Sequence, residues 1–155
     1  MSSYEAALFL HVLGAVLFFS GMAVAGAGYL AAARRERPSE IALLLGMTRA
    51  GVLLVVAGTI LILAFGLWLV DLTGYSYGDG WVSAALALFV VTSVLGALGG
   101  RRPKEARLLA ARLAREGDAS DPTLQRLLHD RAARWMNYGA ALAALAILAL
   151  MVFKP

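Results

Sequence analysis

At 155 residues, 61% of them hydrophobic and with a mean hydropathy of +0.75, the chain is far more apolar than a soluble domain of its size. It contains no cysteine, which removes disulfides, thiolate metal sites and cysteine nucleophiles. In so apolar a chain the net charge of +4 reads as membrane topology rather than affinity for nucleic acid.

Four apolar runs occupy residues 6–33, 41–70, 81–100 and 135–153. About 20 residues rising roughly 1.5 Å each cross a hydrocarbon core of about 30 Å, so each run is long enough to span a bilayer. Runs this continuous are not barrel strands, and helices satisfy their own backbone groups in lipid. The expectation is an all-α fold: one integral membrane domain over 1–155, a four-transmembrane-helix bundle with a helical hairpin at 101–134 between helices 3 and 4. The first run is too long for a signal-peptide core and nothing basic precedes it, so no cleavable signal is expected.

In the first run Gly14, Gly21 and Gly28 recur every seven residues and fall on nearly one face. Gly51 and Gly58 repeat that spacing in the second. Thr92, Gly96 and Gly100 in the third, and Gly139 and Ala143 in the fourth, give small residues four apart. Small residues let helix backbones approach closely in lipid, so all of these are read as packing positions. The connection 71–80 is rich in glycine and polar residues. Trp68, Tyr75, Tyr77 and Trp81 gather around it as an interfacial belt, and Tyr4 stands at the same level.

Residues 101–134 form two helical stretches. Pro103 suits a first turn, and Leu109 and Leu113 share a face. Gly117-Asp118 breaks the first stretch. Asp121 then caps a second, with Pro122 in its first turn and Leu124, Leu127, Leu128, Ala132 and Trp135 at helical spacing, running on into the fourth span. The arginines here suit either anionic lipid headgroups or a solvated helical hairpin.

Of the 14 basic residues only Lys154 lies outside the side shared by 34–37, Arg49 and 101–134. Positive residues stay inside, so 34–40 and 101–134 are expected in the cytoplasm of a bacterial inner membrane, with both termini outside.

Few residues within the runs carry chemistry. His11 lies less than two turns into the first run, beside Ala7, Gly14, Ala15 and Phe18. An imidazole there is either a haem or metal ligand or proton relay, or a packing residue hydrogen-bonded to a polar neighbour. Arg49 in the second run either snorkels to the headgroups or pairs with an acceptor. Asn137 and Tyr138, at similar depth in the fourth, are the candidates. His129 is too far in depth from His11 for both to hold one haem. No P-loop, Gly-x-Ser-x-Gly or HExxH motif is present, no catalytic residue is assigned, and the methionines are scattered.

Two stretches carry a family resemblance: Leu10-His11-Val12-Leu13-Gly14-Ala15, and Arg134-Trp135-Met136 through Leu150-Met151-Val152-Phe153-Lys154-Pro155. With Gly66-Leu67-Trp68-Leu69 and Gly80-Trp81-Val82-Ser83-Ala84-Ala85-Leu86 between them, the chain resembles the uncharacterised integral-membrane family called domain of unknown function 2269. More distantly, the first-helix Leu-His pattern resembles HemJ-type protoporphyrinogen oxidases and copper-resistance D proteins. The HemJ type also shares the Arg134-Trp135-Met136-Asn137 pattern and the Lys-Pro ending. That resemblance implies haem b on His11; where the oxidases carry a lysine after the third-helix Trp, this chain has Ala85.

Three functions are therefore open. The favoured one is a non-catalytic subunit or assembly partner of a membrane complex, in contact with the lipid bilayer and with a membrane-protein partner or further copies of itself. The others are a haem- or metal-binding redox protein using His11, and an oligomeric small transporter or channel subunit.

Overall fold

The computed structural model describes residues 2–153, so the Lys154-Pro155 ending lies outside the described residues. The described chain is all α-helix and turns: α1 (Ser3–Ala32), α2 (Pro38–Thr73), α3 (Gly80–Gly99), α4 (Arg101–Leu113), α5 (Pro122–Leu128) and α6 (Arg131–Phe153). Four helical stretches are long and apolar enough to cross a membrane: α1, α2, α3 with α4, and α5 with α6. A capping box starts α1, with Ser2 Oγ accepting from Glu5 N–H and Glu5 accepting from Ser2 N–H. Gly100 keeps right-handed helical angles, so α4 continues out of α3. The continuous run expected from 122 into the fourth span is interrupted. The chain leaves the helix at His129, and Asp130 Oδ1 accepts from Ala133 N–H to begin α6 afresh. Asp121 caps α5 as its sequence predicts, accepting from Thr123 and Leu124 N–H.

The helices pack as two antiparallel pairs, α1 with α2 and α3 with α6, and the extensive contacts in the spans lie within the pairs. The α1–α2 seam is made by glycine. A Cβ on Gly21 would sit 2.6 Å from Gly51 O and 2.7 Å from Val55 N; one on Gly58 would sit 2.6 Å from both Gly14 O and Phe18 N. Gly14, Gly28 and Gly51 are equally closed by the facing helix. Backbones this close gain van der Waals contact that lipid cannot replace.

In the α3–α6 pair the expected glycines are corrected. Gly96 is exposed with open space around it, and Gly100 is exposed and meets only carbonyls of its own helix. The buried face of α3 is Val82, Ala85, Thr92 and Gly99, against Ala133, Ala140 and Ala144 of α6. A Cβ on Gly99 would collide with the Asn137 side chain. The seam follows seven-residue spacing, Ala85–Thr92–Gly99, as on α1, and not the four-residue spacing that runs through Gly96. A repeat of seven keeps one face toward a single neighbour over several turns.

The two pairs are joined at the end that carries the basic residues. At about 1.5 Å per residue the 36 residues of α2 reach about 54 Å, well beyond a hydrocarbon core. Its first turns extend past the apolar layer and meet α4 and α5. Tyr29, Ala32, Ile41, Leu45, Ala106, Ala110, Leu124 and Leu128 form one buried apolar cluster there, with Leu109, Leu113 and Leu127 packed against it. Polar contacts frame it. The Tyr29 hydroxyl donates to Leu128 O at 2.5 Å, Gln125 Nε2 donates to Arg35 O at 3.0 Å, and Arg102 pairs with Asp130 at 3.1 Å.

Asp118 completes the frame. It sits at φ 58° just after Gly117, in the left-handed region where Asp and Asn are tolerated. Its two carboxylate oxygens accept from Ser39 N–H and Ser39 Oγ–H, both at 2.7 Å. Arg37, the residue preceding α2, offers no side-chain cap, so Asp118 caps α2 from 79 residues away. The Ser39 hydroxyl and N–H hold the Asp118 carboxyl below its ordinary value of 3.8.

At the opposite end Tyr75 stacks edge-on against Trp81 with ring centres 5.1 Å apart. The Tyr77 hydroxyl donates to Asp71 at 2.8 Å, so the aromatic belt also closes the α2–α3 turn.

Gly21→Ala is expected to lower stability by about 1–3 kcal/mol, because a methyl group meets rigid backbone. Gly26→Ala, on open space in the same helix, is expected to change little. Thermal unfolding in one detergent compares them, and equal effects would refute the seam. A second expectation concerns acid. A depressed folded-state pKa stabilises above the unfolded value and loses that contribution as pH falls through the folded one. Asp118→Asn keeps the left-handed turn but not the charge. Its stability deficit at pH 7 should close as pH drops below about 4, measured against wild type by thermal melts. A gap constant with pH would argue against the carboxylate clasp.

Candidate functional site

The residues that sequence marks for chemistry fall at separate places. His11 lies on the α1 face that meets α2, half-buried between Ala7 and Gly14. Its Nδ1 is 3.1 Å from Ile62 O. A carbonyl only accepts, so Nδ1 carries the proton and donates, and in the neutral ring Nε2 keeps the lone pair. The ring lies over Gly66: a Cβ there would sit 2.9 Å from His11 Cε1 and 3.0 Å from Nδ1, with nothing else within 4 Å. Glycine at 66 is thus the seat of the imidazole, one turn beyond the carbonyl that holds it.

This arrangement bears directly on a cofactor. A histidine whose Nδ1–H is fixed by a backbone carbonyl is oriented as metal-ligating histidines are, with Nε2 as the donor. The ring therefore presents Nε2 as its remaining donor. The small residue Gly14 beside it leaves no room for a macrocycle. Gly14 is filled by α2, with Leu61 Cβ at 2.8 Å and Ile62 N at 2.9 Å from where its own Cβ would be. Any planar group on Nε2 would have to lie outside the α1–α2 seam. Among the described residues no cluster of three or more His, Asp or Glu side chains forms a metal site.

Arg49 is exposed on α2, and the structure does not bring it to Asn137 or Tyr138. Asn137 faces α3 instead, where its Nδ2 approaches Gly99 O at 3.4 Å. Tyr138 is exposed and packs edge-on with Trp135. His129 is exposed at the basic end, its Nδ1 2.9 Å from Gln125 O, far along the fold from His11.

Sequence reasoning missed Gly66, Gly99, Tyr29 and Asp118. Gly99 carried a signal, since it follows Thr92 by the same seven residues that mark the α1 stripe. Tyr29 carried a weaker one, as the only aromatic residue in the last turn of its run. Gly66 carried none for this role and Asp118 only that of a helix break with Gly117, because the partner of each is distant in sequence.

Gly66→Ala is expected to destabilise the wild-type protein and to be nearly neutral in a His11→Ala background, because the imidazole is all that the methyl group meets. His11→Ala alone should cost about 1 kcal/mol for the lost hydrogen bond plus its packing. A double-mutant cycle of thermal stabilities checks this, and additive effects would remove the seat.

No curated protein and no solved structure matches the chain. A family model does match, over residues 5–155, and so covers every helix and His11, Gly66 and Asn137 alike. That match does not bear on the more distant likeness to the HemJ-type and copper-resistance D proteins, and it brings no activity with it. An all-α chain with four membrane-length helices and a seam of close backbones is what its printed description leads one to expect: the chain belongs to the family described as predicted integral membrane protein, DUF2269.

Proposed function

We propose that the protein is a non-catalytic subunit or assembly partner of a membrane complex. It would sit in the bacterial cytoplasmic membrane with both termini outside and with 34–40 and 101–134 in the cytoplasm. One observation supports this reading most: three polar side chains within the spans, His11, Thr48 and Asn137, each reach a backbone carbonyl of the neighbouring helix. His11 is held by Ile62 O, Thr48 Oγ1 donates to Ala25 O at 3.4 Å, and Asn137 meets Gly99 O, while the buried Thr92 satisfies its hydroxyl on Leu88 O of its own helix. The opposite faces of the spans are mainly apolar, with Val52 and Val56 exposed on α2 and Val90 and Val94 on α3. Pairwise packing leaves these faces free for lipid or for another helix.

The second reading is a haem- or metal-binding redox protein with His11 as ligand. It rests on the Nδ1–Ile62 O bond, which leaves Nε2 as the ring's remaining donor.

A photo-crosslinking residue at 56 or 90, in protein expressed at native level, distinguishes the two. The subunit reading expects a discrete protein adduct of fixed size from at least one position and a colourless purified protein. Lipid adducts alone at both positions, together with a Soret band that His11→Ala abolishes, would overturn it in favour of the second. Single cysteines at 76 and 120 test the orientation: 76 should label from outside and 120 should be protected, and the reverse pattern would invert the topology.

A further inference from the structure

The start of α6 carries a feature that helix packing does not use. Arg131, Arg134, Trp135 and Tyr138 stand three, four and seven residues apart, on one face of the helix, and line an open surface depression of about 430 Å³. The face that packs on α3 is a different one, that of Ala133, Asn137, Ala140 and Ala144. Among the described residues neither arginine has a carboxylate partner. The nearby Asp130 is engaged by Arg102 at 3.1 Å and by Ala133 N–H at 3.0 Å. Arg134 Nε is buried from solvent without a hydrogen-bond partner. A guanidinium with no acceptor in so apolar a setting is costly, and an anion meeting its outer nitrogens would offset that cost.

The chemistry of the stripe is graded along the helix. Two guanidiniums come first, at the edge of the apolar run. Trp135 and Tyr138 follow, 73% and 52% exposed, their rings edge-on at 6.2 Å. Leu142 and Leu145 continue the same face one and two turns deeper, 71% and 55% exposed. Arginine forks match phosphate oxygens in pairs, Trp and Tyr favour the glycerol level of a bilayer, and bare leucines suit an acyl chain.

We propose that this open face is a binding site for an anionic phospholipid. Arg131 and Arg134 hold the headgroup phosphate, Trp135 and Tyr138 flank the glycerol region, and one acyl chain lies along Leu142 and Leu145.

The test uses full-length protein in a neutral detergent, titrated with phosphatidylglycerol, phosphatidylcholine or glycerol 3-phosphate and followed by thermal unfolding. Phosphatidylglycerol should raise Tm saturably, and phosphatidylcholine should not. Arg131→Gln and Arg134→Gln should each weaken the half-saturating lipid concentration by about tenfold, as expected for loss of a charge-assisted pair. Arg126→Gln removes the same charge from α5 and should leave the response intact. Arg131 is exposed, so its variant stays informative even if Arg134→Gln folds poorly. An equal response in all three variants would mean general attraction to net charge and overturn the site. An equal shift with glycerol 3-phosphate would make it a site for a soluble phosphate and overturn the lipid assignment.

Discussion

Helices immersed in lipid gain nothing from burying apolar side chains against one another, because the acyl chains are as apolar as leucine. Everything that holds this protein together follows from that constraint. Within the spans cohesion requires backbones to come close enough for direct van der Waals contact. Glycine at 14, 21, 28, 51 and 58 provides that for one pair of helices. Alanines and Gly99 provide it for the other. Between the pairs no comparable seam exists, so they are joined where the hydrophobic effect operates again, at the wetted basic end.

That end behaves like a small soluble domain built onto a membrane hairpin. Ile41, Leu45, Leu124 and Leu128 are fully buried there, whereas long side chains in the spans are mostly exposed. Its polar frame uses interactions that suit partial access to water, as Asp118 does in capping α2. The arrangement explains why α1 and α2 outrun the bilayer. Their extra turns are the floor on which α4 and α5 rest. It also puts Arg131 and Arg134 in the turn directly after Asp130, which Arg102 of α4 holds at 3.1 Å.

Much of this was legible in the sequence, and the boundary of legibility is physical. Span number and length follow from apolar runs alone, because lipid imposes one backbone solution. The α1 and α2 stripes could be read because glycine every seven residues has few other uses in a membrane helix. Gly96 and Gly100 misled because spacing by four and spacing by seven both satisfy a small-residue rule, and only the partner helix decides between them. Asp118 with Ser39, His11 with Gly66 and Tyr29 with Leu128 are contacts across 55 to 99 residues. Nothing local in either partner announces them. The imidazole illustrates the difference: sequence gave its depth and its small neighbours, while its bond to Ile62 O and its place over Gly66 depend on how two helices register.

The central claim is that the two helix pairs are held together at the basic end and only loosely along the spans. Double electron–electron resonance on this cysteine-free chain measures it directly. A spin-label pair at 34 and 126 spans the joint, and a pair at 8 and 149 spans the same helix pairs at the other end. In lipid nanodiscs the first should give one narrow distance distribution and the second a distinctly broader one. Equally narrow distributions at both ends, or a broader one at the joint, would contradict the account.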